Sequence, residues 1–583
     1  MVSSETSIPE RGSSALRDRH EGRDLKGSGF QSRLPLIGVL VLIALFSILP
    51  VGRLVMTAIA PTGVPDFAAF HERLAKPSAL RALWNTLDTG FFGALLSLAI
   101  GAAFTIAIAL TDLPGRRVLG FLLILPLTIA PQVTALAWLH MFGPSSTLLN
   151  MFGLAPPPGT PNPMLGRGGI IFLFGVQHAP IVFVTLRAGL SRVPASLIEA
   201  ARASGSGPLR TLGTIVLPLV RPYIVAAGAL AFVSCIGNFG IPALLGMSVN
   251  YLTLPTLIYQ RMVSFGPGVL PDMASLSVLI GLLVVLGTVV QAYALRKGET
   301  RYADDRTMRF AMGPWRAPAA AVAWIWIVLT VLVPICALLA TALVPSFGVP
   351  LNVQTLTFDN FTEVLTRQAS TIRAFQNSFA FSALAALILA LIAIPATSAM
   401  DAMSPRLRRP LQGLVELPYA LPGIVLAIAC ILLFLRPLPL IGSLYGTGAI
   451  IVVAYLMRFL ALAMKPVATA TAQIPRDLGE AAAAAGAGPL RRLLTITAPL
   501  VLPAAFAGAL LVFMSAFNEL TVSALLWSSG NETLGVVLFS LEEAGLGTHA
   551  AAIAVLTIVA VVIILGLLDR FARRLPPGVL PWR

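Results

Sequence analysis

The stretch at 199–208, EAARASGSGP, returns at 480–489 as EAAAAAGAGP, 281 residues further along the chain. A phrase of small residues led by one glutamate is foreign to the apolar runs around it, and its return points to an architecture built twice. In full, the copies are VPASLIEAARASGSGPLRTLGTIVLPLVRP at 193–222 and IPRDLGEAAAAAGAGPLRRLLTITAPLVLP at 474–503. Each reads as a helix, a break and a second short helix. Pro194 and Pro475 suit a helix start. Alanine-rich turns with one glutamate near the start favour helix and complement its dipole. Gly205 and Gly486, followed by Gly207 and Gly488 and then by Pro208 and Pro489, terminate it. Leu209, Leu212 and Ile215, like Leu490, Leu493 and Ile496, set a narrow apolar stripe on the turns beyond. Alanine on the outer face lets another protein's surface approach closely, and Glu199 and Glu480 each offer it one charge.

The setting is a membrane. Of 583 residues, 57% are hydrophobic and only 11% charged, against about 25% charged in a soluble domain. The net charge of +15 would suit nucleic acid only if the basic residues shared one solvated face. They lie instead in short clusters between apolar runs. A spanning helix needs about 20 mostly apolar residues. Such runs fall at 34–58, 84–110, 118–142, 169–190, 222–246, 272–295, 318–344, 377–400, 410–435, 443–464, 499–527 and 549–569. With both termini cytoplasmic, the inward segments hold about 30 of the 40 basic residues, as the positive-inside rule requires. The outward stretch 528–548 holds none and carries Glu532, Glu542 and Glu543. Ala58-Ile59-Ala60 imitates a cleavage site, but the long polar start, Arg53 and Pro61 favour an uncleaved first span.

The likeness between halves extends beyond the phrase. LPLTIAPQV at 125–133 answers LPYALPGIV at 417–425, and GALAFVSCIGNFG at 228–240 answers GALLVFMSAFNEL at 508–520, with Asn238 over Asn518. The offset drops from 292 to 280 between these blocks, so the first half carries extra residues, expected in the Gly/Pro-rich connection at 143–168. Six spans per half give both copies one orientation. The pseudo-twofold then runs along the membrane normal, unlike that of inverted repeats, and a pathway lies between the halves. The expected organisation is a disordered cytoplasmic tail at 1–33, a first half at 34–295, a cytoplasmic linker at 296–316, a second half at 317–570 and a tail at 571–583.

At the repeated phrase the sequence resembles the inner-membrane permease subunits of binding-protein-dependent ABC importers. Their EAA motif runs from EAA through a glycine to an apolar-Pro pair. Here Glu199-Ala200-Ala201 leads to Gly205 and Leu217-Pro218, and Glu480-Ala481-Ala482 leads to Gly486 and Ala498-Pro499. The resemblance implies an all-α membrane protein of two tandem six-helix type I permease halves in a bacterial inner membrane. It also implies that each EAA loop is a coupling helix seated in one of two ATPase subunits, with Glu199 and Glu480 in a polar contact there. Pro208 and Pro489 close the motif segments. The chain has no GxxxxGK[ST] loop, and none of its four lysines follows a glycine. ATP and Mg would therefore be bound by the partner ATPase, and no cofactor or catalytic residue is expected here. A periplasmic binding protein and membrane lipid complete the expected partners, without nucleic acid.

Two fused halves resemble the ferric-iron importer group, and thiamine importers share that architecture. NFGIPALLG at 238–246 and NELTVSALL at 518–526 favour the iron/phosphonate branch, although the iron pattern has an acidic residue where Asn238 stands. Ferric iron is the first expectation for cargo, with 2-aminoethylphosphonate, thiamine or polyamine as alternatives. Cys235, Cys336 and Cys430 and the five histidines are isolated, so no metal site is expected. Candidate pathway residues are Pro131, Asn238, Pro422, Asn518 and Glu519. Pro126, Pro131, Pro418 and Pro422 interrupt spans three and nine, freeing carbonyls tolerable only against protein or a wet cavity. Asp88, Glu416, Arg458, Glu519 and His178 are the ionisable groups assigned to spans. A twelve-helix secondary transporter or an ion channel is the rival class, but neither explains two docking loops in register.

Overall fold

In the computed structural model, the described residues are 34–264, 266, 268–297, 310–437, 439 and 442–572. The expected tail at 1–33, residues 573–583 and linker residues 298–309 lie outside them.

Among the described residues, ten helices are long and apolar enough to cross a membrane. In the first half they are α1 (Leu36–Ile59), α2 (Pro77–Leu110), α5 (Arg167–Leu190), α7 (Pro208–Ile236) and α10 (Val269–Lys297). The repeat begins with α11 (Gly313–Ala342) and α12 (Ala369–Asp401), and ends with α15 (Gly448–Thr471), α17 (Pro489–Phe517) and α20 (Gly547–Ala572). Two further spans are broken. α3 (Arg116–Thr128) and α4 (Pro131–Met141) meet at 102°, and α13 (Pro405–Ala420) and α14 (Gly423–Phe434) at 100°. The twelve expected spans are therefore present, with the proline-interrupted pair at positions three and nine. The EAA segments form α6 (Ala195–Ala203) and α16 (Arg476–Ala484).

A third bent pair, α8 (Gly240–Val249) and α9 (Leu254–Met262), turns through 74° between α7 and α10. It enters and leaves on one side, because the chain after α10 returns to the side of α6. Arg202 of α6 stands over the ring of Phe310, 5.2 Å from its centroid. The corresponding stretch of the second half holds α18 (Ser523–Leu526) and α19 (Leu534–Glu543).

Two expected spans are shifted. The run at 222–246 belongs to a helix that begins at Pro208 and ends at Ile236, and the run at 499–527 to one from Pro489 to Phe517. The EAA segment thus continues directly into its span. Pro218 and Pro499 cannot donate to the preceding turn, and the helix widens just ahead of each. The Leu217 N–H donates to Leu212 O and the Ala498 N–H to Leu493 O, five residues back instead of four. Asn238, Asn518 and Glu519 consequently sit in turns beyond the helices.

The first span of each half packs on the other half. α1 lies against α12, α13 and α14 as well as α10, and α11 lies against α3 and α4 as well as α20. The halves clasp each other, which no boundary drawn along the chain reveals. The extra length of the first half is where the offset places it. Residues 142–166 join α4 to α5, whereas only 435–447 join α14 to α15. Asn162 pins that longer connection, donating to Leu139 O and Phe142 O at 2.9 Å.

Gly205 and Gly486 end their helices with φ of +78° and +80°. The next N–H, from Ser206 or Ala487, reaches back to Ala201 O or Ala482 O at 2.9 Å, a Schellman closure. Glu199 and Glu480 stand at the fifth helical position, past the first turn, so their dipole contribution is smaller than the sequence suggests. Gly205→Ala should destabilise the purified protein by about 1 kcal/mol, because a Cβ disfavours positive φ. Gly207→Ala, at φ −68° and in open space, should leave thermal unfolding unchanged.

Candidate functional site: the seam between the halves and the EAA surface

Each broken span leaves backbone carbonyls that its own helix cannot satisfy. In the first half, Gln177 of α5 fills the gap: its Nε2 donates to Pro126 O at 2.7 Å and to Ile129 O at 3.3 Å. In the second half, Arg458 of α15 takes this place, with Nη1 3.4 Å from Leu421 O. Gln177 and Arg458 are 281 residues apart, and Ile129 and Leu421 are 292 apart. These are the two sequence offsets on either side of the longer connection, so one contact has been built in two chemistries.

The charged version has a counter-ion. Glu519 Oε2 lies 3.7 Å from Arg458 Nε, with the side chains 10% and 17% exposed. Its Oε1 accepts from the Val522 N–H at 3.0 Å and from the Thr521 hydroxyl. In the first half the same turn is capped by Asn238, whose Oδ1 accepts the Ile241 N–H at 3.1 Å, and Phe239 occupies the position of Glu519. Asn238 and Asn518 therefore match in backbone position but not in work. The cap passes to Glu519 in the second half, freeing Asn518 to reach the other half.

That reach forms the seam. Asn518 Nδ2 lies 3.4 Å from Thr128 O, and Gln132 Nε2 donates to Asn518 O at 3.2 Å. Reciprocally, Gly237 abuts Pro422, where an added Cβ would stand 3.3 Å from Pro422 Cγ. A Cβ on Gly423 would collide with the Thr521 hydroxyl and lie 2.7 Å from Arg458 Nη1. The break of the second half therefore admits only glycine where the first half has Pro131. Tyr259 of α9 and Phe539 of α19 are 280 residues apart in sequence and meet edge-on at 5.8 Å, with Phe239 6.1 Å from Phe539. A residue that touches its own counterpart lies on the pseudo-twofold, so this aromatic cluster plugs the middle of the seam.

All five pathway candidates of the sequence, Pro131, Asn238, Pro422, Asn518 and Glu519, border this seam or its two breaks. Gln177, Tyr259 and Phe539 escaped notice because each looks ordinary in one half. The repeat offset pairs Gln177 with Arg458 and Tyr259 with Phe539, but nothing in it says that the first pair serves the breaks or that the second pair meets. The other ionisable groups are occupied elsewhere. Asp88 binds Arg167 at 2.6 Å, Glu416 and Lys465 pair at an exposed surface, and buried His178 places Nδ1 3.0 Å from Phe174 O. No group of three potential metal ligands occurs among the described residues.

The EAA segments form the second surface. Six spans separate them, so they emerge on one side. Glu199, Ala200, Glu480 and Ala481 are exposed, with Ala201 and Ala482 half-buried. Leu209 and Leu490, equivalent in the two copies, are 84% and 68% exposed, and the equivalent Leu197 and Leu478 are exposed as well. Large leucines are thus bared at matching positions beside the exposed Glu199 and Glu480.

A family model described as binding-protein-dependent transport system inner membrane component matches residues 36–297 and 402–580. The chain is 28% identical over 487 residues to "Probable ABC transporter permease protein y4fN" of Sinorhizobium fredii, covering 81% of this chain and 84% of that one. It is 27% identical over 390 residues to the Fe(3+)-transport system permease protein FbpB 2 of Haemophilus influenzae, covering 66% and 72%. A third relative, "Putative 2-aminoethylphosphonate transport system permease protein PhnU" of Salmonella typhimurium, is 27% identical over 232 residues, 39% of this chain and 79% of its own.

Arg458→Gln copies the first half's plug but strands Glu519 as a nearly buried charge, and should cost about 3 kcal/mol. Adding Glu519→Gln, which keeps an acceptor for the Val522 N–H, should recover most of that loss in thermal unfolding of the purified protein.

Proposed function

The chain belongs to the family of binding-protein-dependent transport system inner membrane components, and on that premise we propose that it works as the fused permease of an ATP-driven importer. It is a multi-pass protein of the inner membrane. A periplasmic binding protein delivers the substrate, two copies of a separate ATPase supply the energy, and the seam between the halves is the route. The observation that carries this reading is the doubled EAA surface, with the same exposed glutamate and leucines presented twice on one side of the bundle.

The chain's architecture suggests how force travels. α7 and α17 each run 29 residues from the EAA proline to the seam, about 44 Å at helical rise. A displacement at Pro208 is carried to Gly237, which abuts the opposite break at Pro422. A displacement at Pro489 is carried to Asn518, which holds Thr128 and Gln132. ATP-driven closure of the two ATPase subunits draws α6 and α16 together. The rods then shift the turns that close the seam and part the Tyr259–Phe539 contact. Access alternates from the binding protein's side to the cytoplasm. In this reading Glu199, Ala200, Ala201, Gly205 and Pro208, with Glu480, Ala481, Ala482, Gly486 and Pro489, form the ATPase contacts. The EAA side is cytoplasmic, as the basic clusters indicate, and both termini share it.

Ferric iron is the proposed cargo, supported by the likeness to FbpB 2 across most of the chain. 2-Aminoethylphosphonate is the second reading, supported by PhnU over a shorter stretch. Vesicles holding the permease, its ATPase and its loaded binding protein should accumulate labelled iron only while ATP is hydrolysed. Accumulation of labelled phosphonate in its place selects the second reading. Uptake that survives a hydrolysis-dead ATPase identifies a secondary transporter. Glu199→Ala with Glu480→Ala should abolish ATPase association and transport together.

A further inference from the structure

The two coupling segments are alike in sequence and unlike in how they are held. In α6, Ala195 and Ile198 are buried, at 2% and 4% exposure. The equivalent residues of α16 are Arg476 and Gly479. Ile198 packs in a cluster with Leu110, Val216, Val220 and Phe310. Phe310 comes from the connection between the halves and is 7% exposed. Its N–H donates to Leu110 O at 2.7 Å, and it pairs with Thr111 in a parallel bridge. The Arg202 guanidinium lies 5.2 Å from the ring centroid, within cation–π range. Arg202 has Ala483 as its counterpart.

The chain beyond Phe310 is fastened as well. The Met312 N–H donates to Asp112 Oδ1 at 3.0 Å, and Arg316 Nε donates to Asp112 O at 3.1 Å. α11 follows at once, and its Trp324 lies close to Gly115. A continuous strap therefore runs from the first coupling helix to the first span of the second half. For α16, the described residues show only the Gly479 carbonyl at the limit of reach of Arg492 Nη1, 3.5 Å.

We propose that Phe310 and Arg202 are positioning residues that hold the first coupling helix to the start of α11, making the two ATPase contacts mechanically unequal. A push on α6 moves both halves at once, while a push on α16 acts through α17 alone. This rests on reading the EAA segments as coupling helices.

The test uses the full complex with its ATPase subunits in lipid vesicles, with the exposed Cys336 replaced by serine. Spin labels are placed on Ser204→Cys and on Ala485→Cys, equivalent exposed sites. The label at 204 should be less mobile than that at 485. Phe310→Ala should bring it to the mobility at 485, leave 485 unchanged, and lower ATP hydrolysis per assembled complex several-fold. Phe310→Tyr should retain wild-type values for both readouts, and Arg202→Ala should give an intermediate label mobility. If Phe310→Ala does not assemble, Arg202→Ala carries the test alone, since it leaves the apolar plug in place. Equal mobility at 204 and 485 in the wild type, or a 204 label insensitive to both substitutions, overturns the proposal. Coupled hydrolysis that persists in Glu199→Ala with Glu480→Ala overturns the coupling reading instead, whereas the mobility difference between 204 and 485 and its loss in Phe310→Ala, repeated on the full chain without ATPase, test the strap separately from that reading.

Discussion

A backbone carbonyl at membrane depth has to find its hydrogen bond inside the protein, and the centre of this molecule is organised around two places where a helix cannot supply one. At 128–131 and 420–423 prolines stop a span and turn it by about a right angle. The carbonyls of Pro126, Ile129 and Leu421 are then served from a neighbouring span, by Gln177 or by Arg458. α5 and α15, which carry those side chains, are 72% and 78% buried over their apolar windows, against 28% for α1. The helices that satisfy the breaks are thus the ones around which the others are arranged.

The two halves solve this problem with different chemistry, and the difference spreads. A neutral amide needs no counter-ion, so Phe239 can stand beside the first break. A guanidinium does, so the second half puts Glu519 there and hands it the capping work that Asn238 performs in the first. Gly423 is forced by the same arrangement, because the guanidinium and the Thr521 hydroxyl fill the space of a Cβ. A buried ion pair is weak evidence for stability, and its presence in only one half makes the seam chemically lopsided.

The rods and the clasp explain why breaks so near the seam do not loosen the fold. α7 and α17 are continuous from the EAA proline to the turn that touches the opposite half. The wide turns ahead of Pro218 and Pro499 absorb the missing proline donors without a kink large enough to divide either helix. Exchanged first spans, α1 on the second half and α11 on the first, keep the halves joined. The Phe310 strap lies at the base of that exchange.

The number of spans, the duplication, the emergence of both EAA segments on one and the same side and the place of the longer connection were all legible in the sequence. They depend on apolar length, parity and repeat offset, which are local or additive properties of the chain. The proline interruptions were legible too. Which residues would satisfy the breaks was not, nor that Tyr259 would face Phe539, nor that Arg202 would stand over Phe310. The starts of α7 and α17 were misread because an amphipathic EAA segment and an apolar span look like separate elements until proline is seen to widen the helix instead of ending it. Behind these misses is one physical reason. In water, apolar patterning tells which face of a helix is buried; in a bilayer, the lipid-facing and protein-facing sides are equally apolar. The sequence therefore determined what crosses the membrane and how often, while the choice of neighbours rested on close packing and a few hydrogen bonds between residues hundreds of positions apart, which only the tertiary structure decided.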